Sequence, residues 1–400
     1  MKPVAHVSNR DFGLYIHFPY CLRVCPYCDF NVYAGPFNGQ EYCDAVIREI
    51  NSRQSLYVTF GPLRSIYFGG GTPSLWAARH IQQIIKHAQA CFGIQQSAEI
   101  TVECNPESLE CDYLEELKNA GVNRISLGSQ SMVSSELIQL GRLHRAEQTI
   151  MAIENIKNLK LDVSIDVIFG TPGQPVEDVI RSLELLVGLP IDHLSAYALT
   201  IEPNTNFDRR RIRGTFHPMS SDEQAKRMAV LWRYLQENGF EHYEVSAFSR
   251  KGKRAIHNSL YWMNSPYLGV GAGAHSYLPS QNGQEAIRTE SIRNPDTYKE
   301  IKMPAFEMEE KLSDWETLIE FLMVRSRVNW GFNYSELPKL TKVETKAFQA
   351  QLQNCVSELM SEGLVFCDDV QVCPTTRGFQ FADTVAQKLV NTLSELVHYK

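Results

Sequence analysis

Over its first two hundred residues the chain alternates short apolar runs with longer segments whose apolar residues recur every three or four positions. No other feature constrains the fold as tightly. Strands are predicted at 13–18, 65–69, 98–103, 123–128, 162–168 and 193–200. Helices are predicted at 40–54, 75–90, 108–119, 134–140, 146–158 and 176–187, where pairs such as Leu114 with Leu117 and Ile180 with Leu183 mark apolar faces. Strand-to-strand steps of about 25 to 50 residues suit βαβ units better than a sandwich. Six such units in a row predict an α/β fold built as a parallel barrel or open barrel, with a doubly wound sheet as the alternative. The barrel is favoured because unusual loops follow the strands, and sites gather at the C-terminal face of a barrel. These loops hold the cysteines at 21–28, Gly69–Pro73, Glu103–Pro106, Ser129–Gln130 and Gly170–Gly173.

At 400 residues the chain exceeds one ordinary core. A further helix is predicted at 221–240 and a strand at 241–248, followed by a loop-rich stretch at 249–285. From about 296 the pattern changes to a helix at 308–327 and a helix–hairpin–helix ending with Gly363 at a turn. The expected division is therefore a core at 1–248, a linking region at 249–295 that closes the barrel, and a C-terminal winged-helix-like domain at 296–400. Asn294–Pro295 marks the last boundary.

Charge and composition narrow the function. A net charge of −7 argues against a nucleic-acid binder, although Arg209–Arg213 form a local basic patch. The opening MKPVAHVSNR has no secretory pattern, and no apolar run reaches the roughly 18 residues that span a bilayer. A cytoplasmic protein is expected, with peripheral membrane contact left open. Ten cysteines in such a chain do not read as a disulfide framework. Cys43, Cys91, Cys104, Cys111, Cys355, Cys367 and Cys373 are scattered and read as packing residues.

Cys21, Cys25 and Cys28 differ, because their spacing wraps one soft-metal site after a strand. Zinc would require a fourth ligand, and the nearest candidate, His17, lies within the strand. Three thiolates suit a cubane iron–sulfur cluster with one open iron. A zinc site completed from elsewhere and three reduced thiols remain the alternatives. Gly69, Gly70 and Gly71 let backbone approach a ligand, Glu103 suits a cationic partner, and Arg142 suits a carboxylate. Taken singly, each is an ordinary turn or surface residue. In His257-Asn-Ser-Leu-Tyr261-Trp262 the imidazole is a candidate iron ligand and the aromatics candidate stacking groups. Composition alone favours plain packing for this stretch. His275 in GAGAHSY is a second candidate of the same kind.

Taken together, HFPYCLRVCPYCDF, YFGGGTPSL, GVNRISLGSQS, LGRLH, IDVIFGTPGQ, EPNT, HNSLYW, GAGAHSY and TTRG resemble the radical S-adenosylmethionine superfamily. The resemblance is to the branch holding oxygen-independent coproporphyrinogen III oxidase and the heme chaperones. It implies an open (β/α)6 partial TIM barrel with a smaller α+β C-terminal domain. It also implies a [4Fe–4S] cluster on Cys21, Cys25 and Cys28, and reductive cleavage of S-adenosylmethionine to a 5′-deoxyadenosyl radical. Tyr15, Tyr27, Gly70, Gly71, Thr72, Glu103, Gln130, Arg142, Asp166 and Ala198 correspond to the cofactor shell, and His257 to a heme-binding histidine. Two departures separate this chain from the oxidase. Phe30 stands where the oxidase has a further cysteine, and only about a dozen residues precede the first strand. Both favour a heme chaperone that passes heme to hemoproteins, membrane-bound respiratory enzymes among them. Such a protein would draw on an electron donor such as flavodoxin or ferredoxin, and a dimer is a possible state. The alternative is the oxidase itself, which converts two propionates to vinyl groups with loss of CO₂. A radical enzyme acting on another small molecule is a third.

Overall fold

A computed structural model of the chain describes residues 11–281, 285–337 and 345–397. The six predicted runs all form strands: β1 (Phe12–Phe18), β4 (Leu63–Gly70), β5 (Ile94–Cys104), β6 (Arg124–Gln130), β7 (Asp162–Phe169) and β8 (His193–Ala198). Two short strands, β2 (Tyr20–Cys21) and β3 (Tyr33–Ala34), pair beside the cysteine loop. The six long strands lie side by side in chain order, all parallel. A doubly wound sheet would reverse its strand order partway, and here the order never reverses. The connections are α1 (Gly39–Tyr57), α2 (Ala78–Phe92), α3 (Cys111–Asn119), the pair α4 (Ser134–Gln139) and α5 (Ala146–Asn158), and α6 (Val176–Val187).

Alternation within the strands decides what faces where. Leu14, Ile16, Ile66, Phe68, Val102, Ile125, Val163 and Ile165 are buried and join the main apolar core with Val46, Ile50, Ile84 and Leu183 from the helices. The intervening residues Tyr67, Thr101, Glu103, Ser126, Ser164, Asp166 and Ser195 line one shared cavity. A strand's period of two thus puts an apolar layer outside and a polar lining inside.

The sheet has twelve strands. Past β8 it continues through β10 (Ala247–Ser249) to β9 (Glu241–Glu244), which α7 (Asn206–Ile212) and α8 (Ser221–Glu237) precede. Past β1 it continues through β11 (Tyr267–Val270), β12 (His275–Leu278), β13 (Ala286–Ser291) and β14 (Phe306–Leu312). Of these, β11 alone runs parallel to β1, and the next three alternate.

Two local expectations change. The stretch 256–262, expected within a loop-rich region, is the helix α9 (Ile256–Trp262). The helix expected over 308–327 begins only at Asp314, as α11 (Asp314–Arg325), because 306–312 is the edge strand β14. Ser313 and Glu316 form the capping box that sets the true start. Between β13 and β14 lies α10 (Pro295–Glu300), and the large sheet therefore extends past residue 296.

The C-terminal residues have their own apolar cluster, including Leu318, Leu322, Phe348, Leu352, Val372 and Leu389. Helix Thr345–Ser361 leads into the hairpin of β16 (Val365–Cys367) and β17 (Gln371–Pro374), to which β15 (Phe332–Asn333) adds a third strand. Helix Ala382–Val397 follows. The module joins the large sheet at β9, where Val245 N–H donates to Arg327 O and Asn329 N–H to Tyr243 O, both at 2.9 Å.

Candidate cluster and cofactor site

The cysteine loop leaves β1 and is pinned from several directions. Arg23 Nη2 donates to Gly141 O (2.6 Å), and Phe207 N–H donates to Pro26 O (2.9 Å). At its far end Asn31 Nδ2 donates to Ala272 O (2.9 Å) and Arg293 O (2.8 Å), while His17 Nε2 sits 2.9 Å from Asn31 O. His17 is therefore a buried structural residue, with its Nδ1 3.0 Å from the Tyr15 hydroxyl.

Cys21, Cys25 and Cys28 line one cavity of about 360 Å³. Cys28 N–H donates to Cys25 O (3.1 Å), which folds the loop back on itself. Burial raises the Cys28 thiol to about 12, with Cys25 and Cys21 adding to it, and burial also raises Cys21. Burial and the repulsion between their thiolate forms keep these groups protonated until a positively charged metal group binds them. Cationic and hydroxyl donors are already in place: Arg142 Nη1 lies 3.6 Å from Cys25 Sγ, and Thr72 Oγ1 3.5 Å from Cys21 Sγ. Gly71 passes so close that a Cβ there would meet Tyr20 O at 2.6 Å and Cys21 Sγ at 3.0 Å. Gly70 has φ +108°, and a Cβ on it would meet the His17 ring at 2.6 Å. The donor set and the bare backbone beside it fit a cluster held by three thiolates.

The remaining predicted residues are held by neighbouring strands. Glu103, at the end of β5, accepts from Tyr67 Oη (2.8 Å) and Gly70 N–H (3.1 Å). Burial pushes its carboxyl up to about 7, Asp166 adds to that, and the Tyr67 hydrogen bond opposes it. Asp166 accepts from Ser126 Oγ (3.2 Å) and is also raised by burial. Arg142 donates to Gly128 O (3.0 Å) and to Asn105 Oδ1. Gln130 holds a left-handed backbone, φ 63°, where β6 ends. Tyr27, Gly70, Gly71, Thr72, Glu103, Gln130, Arg142, Asp166 and Ala198 all line the cavity with the three cysteines.

Two predicted residues lie elsewhere. Tyr15 lines a second cavity, of about 700 Å³, whose wall shares Gly70, Glu103, Asp29, Phe30 and Val32 with the first. His257 lines neither cavity. It is 1 % exposed, with Nδ1 2.8 Å from Ser65 Oγ and Nε2 2.7 Å from Tyr261 Oη. Burial lowers its pKa to about 3, so the ring is neutral, and both nitrogens are in use. In this conformation it offers iron no lone pair.

Sequence reasoning missed the cavity floor. Thr101, Arg124, Ser126, Ser164 and Ser195 line it. The available signal was polar residues at alternate positions of otherwise apolar strands. Asn31 and Asn105 were also missed, although one follows the cysteine motif directly and the other lies in the Glu103–Pro106 loop.

Comparison with known proteins agrees with this geometry. Residues 15–186 match the model of the radical SAM superfamily. The heme chaperone HemW of Synechocystis sp. is 34% identical, over 84% of this chain and 83% of its own. HemW of Escherichia coli is 33% identical over 80% of this chain and 84% of its own. HemW of Lactococcus lactis subsp. lactis is 30% identical over 96% of this chain and 98% of its own. Among solved structures, coproporphyrinogen III oxidase HemN of Escherichia coli superposes with a TM-score of 0.79 over 96% of this chain and 91% of its own, at 20% identity. That likeness establishes a shared radical-SAM-type α/β fold with a barrel-like core.

Proposed function

This chain belongs to the HemW-like family of radical S-adenosylmethionine proteins, related to the coproporphyrinogen oxidase branch, and from that premise we propose that it binds heme and hands it to hemoproteins. The observation that carries the reading is the pair of adjoining cavities. One, of about 360 Å³, is lined by the three cysteines and the residues assigned to S-adenosylmethionine, and the other is larger and walled by Phe30, Tyr33, Tyr261 and Tyr267. Phe30 stands at the position where the oxidase signature has a further cysteine.

When bound, the cluster and S-adenosylmethionine supply one-electron chemistry that no side chain here provides. The protein's residues bind and orient. Arg142 sets its positive charge beside Cys25 and links the Gly128 carbonyl of β6 to the Asn105 side chain. Glu103 would accept from the methionyl ammonium, and the bare backbone of Gly70 and Gly71 would leave room for it. The barrel around the cavity takes the open (β/α)6 form, and the C-terminal module is a winged-helix-like partner surface. Recipients include membrane-bound hemoproteins, reached by peripheral contact from the cytoplasm, and no helix of the described residues is long and apolar enough to cross a membrane. A flavodoxin or ferredoxin is the proposed electron donor.

The oxidase reading is favoured by a specific observation. Nine residues of the cofactor shell line one cavity with the cysteines, and the fold follows the solved oxidase through 96% of the chain. The test of the chaperone reading is a heme titration of the iron- and sulfide-reconstituted protein, followed by mixing with an apo-hemoprotein. Binding of at least one heme per chain and its appearance on the acceptor are expected. No binding, or heme that never leaves, contradicts the reading.

A further inference from the structure

We infer that a small acidic one-electron donor docks on the outer face of the cysteine loop, centred on Leu22 and Leu143 and rimmed by the arginines of α7. The inference rests on the cluster part of the reading above, not on its heme part. It adds the surface through which the cluster would be reduced.

Three observations carry it. First, a cluster ligand borders the outside here. Cys25 lines the cofactor cavity and also a small hollow of about 30 Å³, whose wall includes Leu22, Arg23, Gly141 and Leu143. Leu22 and Leu143 are 64 and 54 % exposed, two large apolar side chains left uncovered beside a ligand thiol. Electron transfer falls off steeply with distance, and a partner seated on this hollow sits against the cluster's own ligand. Second, contacts place α7 at the edge of the same face. Pro26, next to Cys25, lies between two neighbours. A Cβ on Gly141 would meet Pro26 Cδ at 2.7 Å, and Pro26 O accepts from Phe207 N–H (2.9 Å) in the first turn of α7. The Tyr27 and Phe207 ring centroids are 6.5 Å apart. Third, α7 and the residue after it carry the basic run of a chain whose net charge is −7. Arg209, Arg210, Arg211 and Arg213 are all exposed. Among the described residues only Arg211 has an ion-pair partner, Asp208 at 2.7 Å. Arg210 lies over the Phe207 and Phe216 rings, which holds the run against the loop's neighbour. The one other carboxylate of 201–215, Glu202, lines the cofactor cavity. Arg23 adds a further exposed cation at the hollow, held there by its bond to Gly141 O.

Arginines without acidic partners around an apolar centre match a partner that presents carboxylates around an exposed redox group. Encounters between redox proteins are small and short-lived, and opposite charge orients them. The donor is oxidised by one electron and the cluster reduced by one, with no bond made or broken. An anionic lipid surface would also satisfy the arginines, but it carries no electron and gives no reason for the run to stand beside a cluster ligand.

The test is anaerobic stopped-flow reduction of the iron- and sulfide-reconstituted full-length protein by reduced flavodoxin, an acidic flavin donor. Wild type is compared with the double variant Arg209→Glu/Arg213→Glu. The control, Lys118→Glu/Lys160→Glu, makes the same charge change at exposed sites just before β6 and β7, at the opposite end of the barrel. At low salt the arginine variant should be reduced about tenfold more slowly than wild type, and the lysine variant at nearly the wild-type rate. The difference should shrink several-fold by about 0.5 M salt. Calorimetric affinity for oxidised flavodoxin, which needs no turnover, should fall in the arginine variant alone. Photoreduced deazariboflavin, a small uncharged reductant, should reduce all three proteins equally. Equal flavodoxin rates in the two variants would overturn the docking surface. So would an arginine variant that loses only its binding to phosphatidylglycerol vesicles. A wild type that deazariboflavin cannot reduce removes the cluster reading and this surface with it, whereas loss of heme binding alone touches only the heme reading. Far-ultraviolet circular dichroism of the same samples checks that both variants keep the wild-type fold.

Discussion

Glu103 is a buried carboxylate whose hydrogen bonds come from a phenol and a backbone N–H rather than from a cation. With its pKa near 7, it is about half protonated at neutral pH. An ammonium placed against it lowers that pKa, so binding expels the proton whenever the free carboxyl holds one. Affinity for S-adenosylmethionine should therefore rise with pH, by about tenfold per unit well below 7, and level off above about 8. Calorimetric titration between pH 6 and 8.5 measures this, and Glu103→Gln should flatten the profile and weaken binding at pH 8. A wild-type affinity that stays constant across this range would show that Glu103 does not receive the ammonium. At this scale much of the site was legible in the sequence. The cysteines, Gly70, Gly71, Glu103, Gln130, Arg142 and Asp166 stand in or beside strand exits, where spacing and residue type are conspicuous. Arg124, Ser126, Ser164 and Ser195 were not legible, because a lone polar residue in an apolar strand reveals its purpose only once the sheet curves round it. Tyr15 borders the second space rather than the first, because its strand position gives a face but not which of two adjoining spaces that face borders.

Among the elements, α9 shows how tertiary contacts make a helix that local sequence does not announce. It has seven residues, includes His, Asn and Ser, and lacks a side-chain cap of its own. Its first N–H groups are capped instead by Glu99 of β5, which accepts from Ile256 and His257, both at 2.9 Å. His257 then ties the helix to β4 through Ser65 and to its own next turn through Tyr261. His257→Ala leaves two buried hydroxyls without that partner and opens a space. It should lower unfolding free energy by about 2 to 4 kcal/mol, seen as a lower urea midpoint. An unchanged midpoint would mean that the imidazole is not structural. The cysteine loop depends on one side chain in a similar way. Asn31→Ala removes two hydrogen bonds that tie the loop to the 272 and 293 carbonyls. Chelators should then strip iron from the reconstituted protein several-fold faster, with a stability loss of only about 1 to 2 kcal/mol. Equal stripping rates would place the control of the loop elsewhere. The edge strand at 306–312 misled for a different reason. Its acidic, half-exposed residues fit a helix surface as well as a sheet edge, and only pairing with β13 decides between them.

Across the whole molecule, chain-order adjacency of six parallel strands was the most legible feature, because each βα unit announces itself by the change in apolar period. The antiparallel extension from β11 to β14 was the least legible. Its strands are short, two have only four residues, and their order depends on β11 finding β1 across more than two hundred residues of chain. That distant pairing is also what builds the second cavity, since β1 supplies Tyr15 and His17, and the β11–β13 segment supplies Tyr267, His275 and Glu290. The proposed heme reading therefore turns on a surface made by the least predictable contact in the fold. Anaerobic turnover tests heme handling most directly. The reconstituted protein, given reductant, S-adenosylmethionine and coproporphyrinogen III, should form no protoporphyrinogen while the same preparation binds heme at least one to one. Sustained protoporphyrinogen formation with loss of CO₂ would contradict heme carriage and establish the oxidase instead.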